Sequence, residues 1–276
     1  MAHTMVRKRV VRVAVDRRWA VRPDTLTVEE PLEIRVDNVA FTVTMRTPGH
    51  DLDLMLGFLV AEGVLRSPED VVFARQCPEA ARDADGNPTH NVVTVDLAPG
   101  VARPEPARHR PVSSACGVCG TASIDAVAAR SPYVLALDEA GLDVGTLAGL
   151  PARMRTAQAV FQRTGGLHAA ALFAADGQLL CLREDVGRHN AVDKVVGWAF
   201  TQGRLPLRGQ VLQVSGRASF ELVQKAWMAG CTVLAAVSAP SSLAADLAAA
   251  AGMTLIGFSR GERFSVCAGA ERILGG

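Results

Sequence analysis

Lysine is almost missing from this chain. Only Lys8, Lys194 and Lys225 occur, so arginine supplies 26 of the 29 basic side chains. Genome base composition accounts for much of that bias, yet the planar guanidinium also suits phosphate better than an ammonium does. A single tyrosine and no interleaving of aromatic with basic residues exclude a stacking platform for single-stranded nucleic acid. No run approaches the ~20 apolar residues of a membrane span. The basic start MAHTMVRKRVVRVAV has neither the continuous apolar stretch nor the small-residue cleavage site of a secretory leader. Six cysteines (Cys77, Cys116, Cys119, Cys181, Cys231, Cys267) are too few to staple a secreted scaffold, and a cytoplasmic home is expected. A second Cys-x-x-Cys and a His-x3-His are both lacking, so four-ligand structural zinc has no ligand set and no metal is expected.

What is present describes a soluble globular protein. Hydrophobic residues make up 49% and charged residues 21% of 276, enough for one large core or two modest ones. The net charge of +1 hides a basic N-terminus, where Arg7, Lys8, Arg9, Arg12, Arg17, Arg18 and Arg22 face only Asp16. Ile34 and Val36, a turn at Asp37-Asn38, and Val39, Phe41, Val43 and Met45 predict a hairpin. Leu52, Met55, Leu56, Leu59 and Val60 follow helical spacing up to Gly63, and residues 91–97 read as a strand. Four prolines between 99 and 111 forbid regular structure there and set the expected boundary. Residues 1–112 form a strand-rich N-terminal region and residues 113–276 a second domain.

Beyond residue 120, short apolar strands alternate with helices, which implies an α/β domain with a mostly parallel sheet. Helix is expected over 153–163, a strand pair about Asp176-Gly177, and helix over 190–200. The sequence then predicts strand 211–214, helix 218–229, strand 232–237, helix 243–251 and strand 254–258. Three strand-to-helix junctions follow, at Ser215-Gly216-Arg217, at residues 238–242 and at residues 259–263. Such junctions line the crevice where open α/β sheets bind ligands, although serine and glycine are also ordinary cap and turn residues. Residues 183–190 (REDVGRHN) form the densest polar run, read either as a solvated helix start or as Arg188 and His189 facing an anion. Gly165-Gly166 before His168 would let something approach the backbone closely.

The Cys116-Gly117-Val118-Cys119 pair carries the plainest chemistry. It suits half a zinc site, a redox pair or a sulfur relay. The zinc deaminases place His-x-Glu before Pro-Cys-x-x-Cys; here the histidine follows the cysteines, and Ala170 stands where the glutamate would be. A thioredoxin-like pair should follow a strand and open a helix, whereas this one follows a proline-rich loop. Two idle cysteines in a loop are the plain alternative, although exposed thiols are a liability. A thiol that exchanges sulfur with other macromolecules is the best remaining reading, with Arg108 and Arg110 favouring the thiolate.

SSACGVCG together with TGGLHAAAL, REDVGRHNAVDKV, VSGRASFELVQKA, SAPSSLA and IGFSRGERF resembles the FdhD family of sulfur carriers required for formate dehydrogenase activity. The resemblance implies a C-terminal fold similar to cytidine deaminase in three layers, and a homodimer. It implies a cysteine desulfurase that loads Cys116 as a persulfide. The acceptor it implies is the molybdenum or tungsten bis-molybdopterin guanine dinucleotide cofactor, at a segment matching Phe258 to Arg263. On this basis Phe258 is expected to stack on guanine and Glu262 to accept from its N–H groups. Arg260 and Arg263 would hold phosphates, with Ser259 and Gly261 between them and Ser215, Gly216 and Arg217 opposite. GDP should mimic the ligand, and Cys119 should resolve or share the sulfur. A non-covalent cofactor chaperone and a deaminase-like zinc hydrolase are the alternatives.

Overall fold

The computed structural model describes residues 4–16, 18–78, 81–82, 86, 88–104, 131–135 and 141–274. Strands β1 (Met5–Val13) and β2 (Trp19–Thr27) form an antiparallel hairpin that pattern reading does not find. Val11, Val13, Trp19 and Val21 stay exposed along it, so no buried face imposes a two-residue period on the sequence.

The predicted hairpin follows as β3 (Glu30–Val36) and β4 (Val39–Arg46). Asp37 and Asn38 both take left-handed φ, 49° and 62°, the geometry that lets a two-residue turn match strand twist. With β5 (Val71–Gln76) and β6 (Val92–Leu97) they complete a four-stranded sheet in the order β4-β3-β6-β5. Helix α1 (Asp51–Ala61) buries Leu54, Met55 and Leu59 and ends before Gly63, whose φ of 74° only glycine adopts without strain.

The C-terminal half runs β7 (Leu142–Asp143), α2 (Val144–Ala157), α3 (Ala159–Thr164), β8 (His168–Ala174), β9 (Leu179–Asp185) and α4 (Arg188–Thr201). It continues with β10 (Gln210–Val214), α5 (Phe220–Met228), β11 (Val233–Ala236), α6 (Ser242–Ala250), β12 (Thr254–Arg260), β13 (Arg263–Ala268) and β14 (Ile273–Leu274). The single helix expected over 153–163 is two, because Gln158 leaves the helical region at ψ 78°. Helices cover both faces of the main sheet, as three layers require. On one face Leu147, Leu150 and Met154 of α2 pack on Ala171, Phe173 and Val211. On the other, Val192, Leu222 and Leu247 pack on Leu172, Leu212 and Leu234.

That sheet is not mostly parallel. Its order is β13-β12-β11-β10-β8-β9, and only β10–β11 and β11–β12 are parallel. The β8–β9 and β12–β13 pairs are hairpins closed by short turns, which can join only antiparallel neighbours. The crossover pattern thus describes the middle of the sheet and not its edges.

The expected boundary at 112/113 falls outside the described residues. The flanking halves share one core, in which Leu32, Leu54 and Val93 join Leu172, Val196 and Leu234. Helices α1 and α4 cross backbone to backbone at Gly57 and Gly197, where a Cβ on either would overlap the carbonyl of Asp193 or Asp53. Beside that crossing lies a buried polar network. Asp185, fully buried, accepts from Thr47 N at 3.1 Å, Gly187 N at 2.8 Å and Asn190 Nδ2 at 3.1 Å. Lys194 Nζ lies 2.7 Å from its Oδ2 and donates to Thr47 O at 2.8 Å. The polar run 183–190 is therefore no solvated helix start. Its carboxylate ties the end of β4 to the β9–α4 turn.

Candidate functional site

The three junctions sit side by side at the carboxyl ends of β10, β11 and β12. The third, expected to open a helix, is instead the hairpin turn from β12 into β13, because the chain pairs back antiparallel at Arg260 and Arg263. Their amides are spent on one another: Ser238 N donates to Gly216 O, Ser241 N to Ala218 O and Phe258 N to Ser238 O, all at 3.0–3.1 Å. A parallel bridge joins Ala218 to Pro240, and a Cβ on Gly257 would run into the Pro240 ring. The junctions consequently form a rigid shelf, and ligand contacts must come from side chains and from the remaining amides.

A cleft of about 680 Å³ opens above this shelf, within the size range of small-molecule sites. Ser215, Ser259, Arg260 and Gly261 line it, so residues 44 apart in sequence meet there. Ser215 Oγ accepts from Ala169 N at 2.8 Å, which leaves its hydroxyl proton to donate. Arg260 Nε donates to Val237 O at 2.9 Å, fixing the guanidinium at the strand end. The rest of the lining comes from α2, α3 and the turn after them, with Met154, Arg155, Phe161, Gly165 and Gly166, and from His168 at the start of β8. Among the described residues no carboxylate lines the cleft, while two arginines do. The lining is otherwise largely apolar, with Pro151, Leu167, Val186 and Val237. Such a wall favours an anion carrying a flat or apolar body.

His168 borders the Ser215-Gly216 junction; a Cβ added to Gly216 would lie 3.4 Å from its Nδ1. Burial pushes its pKa down, and the charges of Arg188 and His189 push in the same direction. A neutral imidazole results near pH 7, able to donate from one nitrogen and accept at the other. His189 itself is buried, with Nε2 2.8 Å from Glu221 Oε2, a hydrogen bond that holds the Glu221 carboxyl below its ordinary range. Arg188 is half-buried, and its Nε has no hydrogen-bond partner among the described residues.

The remaining expected residues stand apart from the lining. Arg217 is exposed at its junction, and Glu262 and Arg263 are exposed at the β12–β13 turn. Phe258 is 52% exposed and held at a φ of 53°, a left-handed conformation uncommon for a bulky residue. Arg155, Phe161 and Met154 were not singled out from the sequence. They sit on ordinary-looking helices, and only the Gly165-Gly166 signal beside them points there. Cys116, Cys119, Arg108 and Arg110 lie outside the described residues. Of the other thiols, Cys181 and Cys231 are buried, which pushes both up to about 11 and leaves them poor nucleophiles. Cys267 is exposed on the edge strand β13, not packed as a small apolar residue. Among the described residues, no three His, Cys, Asp or Glu side chains gather as a metal site, and no helix is long and apolar enough to cross a membrane.

The profile of the FdhD/NarQ family matches residues 27–274. The protein named sulfur carrier protein FdhD in Mycobacterium tuberculosis is 53% identical over 276 residues, covering 99% of this chain and 100% of that one. Its namesake in Nocardia farcinica is 56% identical over 254 residues, covering 91% and 89%. A crystal structure from Desulfotalea psychrophila, assigned by its name to the formate dehydrogenase accessory proteins, superposes with a TM-score of 0.78. That alignment covers 99% of this chain and 100% of the other at 23% identity, a likeness of fold.

Proposed function

The chain belongs to the FdhD/NarQ family, and on that premise we propose that it is a sulfur carrier serving formate dehydrogenase. In this reading the Cys116 thiolate attacks the sulfane sulfur of a cysteine desulfurase persulfide. The new S–S bond forms on Cys116 as the desulfurase cysteine leaves as its thiolate, so no oxidant or reductant is consumed. Cys119 resolves or shares the sulfur. The acceptor is the molybdenum or tungsten bis-molybdopterin guanine dinucleotide, bound as cargo before its insertion into formate dehydrogenase. The carrier works as a homodimer on a deaminase-like frame.

One observation supports the cargo half above all others. Ser215 and the segment Ser259–Gly261 converge on one cleft that contains two arginines, a histidine and, among the described residues, no carboxylate. A dinucleotide brings pyrophosphate oxygens and flat heterocycles, and both find a matching surface there. Arg260→Ala is expected to weaken GDP binding ten- to a hundredfold, since a charged hydrogen bond contributes roughly 1.5–3 kcal/mol and each 1.4 kcal/mol is about tenfold. Arg263→Ala, outside the lining, should change it far less. Titration calorimetry decides, and unchanged affinity in Arg260→Ala would remove this cleft from consideration.

Sulfur loading is tested separately. Incubated with a cysteine desulfurase and cysteine, the wild-type protein should gain the mass of sulfur, and Cys116→Ala should not. A non-covalent chaperone predicts the opposite outcome: a Cys116→Ala/Cys119→Ala double variant would still restore formate dehydrogenase activity in cells.

A further inference from the structure

We propose that Arg155, stacked on Phe161, is the platform on which the ligand's flat heterocycle lies, so that the ring system enters against the α2–α3 wall and not at Phe258. This inference rests on the cleft being a nucleotide-cofactor site, as argued above. The Arg155 guanidinium carbon sits 3.9 Å from the Phe161 ring centroid, closer than the other cation–π contacts among the described residues, which lie at 5.4–5.9 Å. A separation that short fits a planar cation stacked face-on, since an N–H aimed at the ring would hold the guanidinium carbon farther away. One of its faces is then covered by Phe161, and because Arg155 is exposed and lines the cleft, the other face is open to a ligand. No carboxylate among the described residues pairs with Arg155, so its charge is not already committed.

The support beneath the pair is rigid. Phe161 N and Val160 N donate to the two carboxylate oxygens of Glu184 on β9 at 2.8 and 2.9 Å, anchoring α3 to the sheet edge. Beyond α3, Gly165 turns the chain at a φ of 66°, and neither it nor Gly166 projects a side chain into the space beside the ring. A purine or pterin stacked on the guanidinium would complete a three-tier sandwich, with Met154 and Leu167 as apolar flanks. Arg260 and Ser215 are left for the anionic chain. Phe258 bears no such construction: it stands 52% exposed and outside the lining.

Guanine and pterin share one 2-amino-4-oxo pyrimidine edge, so the chemistry admits either end of the cargo, and the probes separate them. Arg155→Lys keeps the charge and loses the plane; Phe161→Leu keeps an apolar support and loses the stack. Stacking of a base is typically worth a factor of about ten or more. Each variant should bind GDP, or neopterin if the pterin end occupies this wall, about tenfold more weakly than wild type. Affinity for inorganic pyrophosphate should stay unchanged, and neopterin fluorescence quenched by wild type should recover. If pyrophosphate affinity falls in parallel, the platform role is overturned in favour of charge or cleft collapse. If Arg260→Ala weakens GDP while both platform variants bind GDP and neopterin like wild type, stacking here is overturned and the cleft stands. If wild type binds neither GDP nor neopterin, the cleft assignment falls and the platform with it.

Discussion

Gly197→Ala should be among the most damaging single substitutions in this protein, although alanine is the better helix former. In an exposed helix the exchange would gain about 1 kcal/mol from propensity. At position 197 the added methyl would overlap the Asp53 carbonyl and come within 2.8 Å of Gly57 N. Those neighbours are backbone atoms of a packed helix and cannot rotate aside. The α1–α4 crossing would have to open along its length, with Leu54, Val192 and Val196 losing their contacts. Overpacking typically costs 1–3 kcal/mol and more where backbone must move, so a net loss of roughly 3 kcal/mol is expected. Gly57→Ala should behave alike, because its Cβ would lie 2.8 Å from Gly197 N and overlap the Asp193 carbonyl. Gly149→Ala in α2, whose nearest neighbour is the flexible Arg153 side chain at 3.8 Å, should be neutral or slightly stabilising. Urea unfolding of the three variants measures this. A Gly197→Ala midpoint equal to or above wild type would show that the helices do not meet as closely as described.

Such a crossing was not legible in the sequence, and the reason is physical. Gly57 sits in an apolar helical run that pattern reading orients correctly, yet the pattern does not say which element arrives on the other side. Local signals served better. The Asp37-Asn38 turn, the Asp176-Gly177 hairpin and the strand–helix series from 190 to 258 all depend on neighbours in sequence, and each is found where residue periodicity puts it. The antiparallel edges of the main sheet and the exposed β1–β2 hairpin depend on pairing or on missing burial, and both escape periodicity. The candidate cleft divides in the same manner. Ser215 and Ser259 to Gly261 announce themselves at strand ends, where serine, glycine and arginine interrupt apolar runs. Arg155 and Phe161 become a pair because Gln158 breaks the helix between them, which no local pattern announces. Asp185 shows the opposite failure. Its place in a polar stretch suggested solvent, whereas a lysine nine residues later and a threonine 138 residues earlier enclose it.

Lys194→Met should expose how much that enclosure matters. The methionine fills nearly the same volume, so little cavity forms, and what changes is charge. Asp185 would keep hydrogen bonds from Thr47 N, Gly187 N and Asn190 Nδ2 but lose the cation 2.7 Å away, in a site with no solvent access. Breaking a buried pair on one side costs about 3–5 kcal/mol, because the stranded charge keeps its desolvation penalty and loses its compensation. Thr47 O also loses its ammonium donor. Against a typical total stability of 5–15 kcal/mol, that is a large share. The exposed Arg12–Asp24 pair on the β1–β2 hairpin offers the contrast, since solvent screens it and its removal should leave the unfolding midpoint where it was. Adding Asp185→Asn to Lys194→Met removes the stranded charge, so the double variant should be more stable than the sum of the single losses, with a coupling of about 0.5–3 kcal/mol. The effect should also reach the cleft. Val186 N donates to Thr47 Oγ1 at 3.2 Å and Val186 lines the ligand wall, so loosening the network around Thr47 displaces a residue that a bound ring would touch. Urea unfolding of the single and double variants, followed by GDP titration under native conditions, tests both consequences. Strict additivity of the two substitutions would mean that Asp185 and Lys194 do not compensate each other, and the network would then be packing alone.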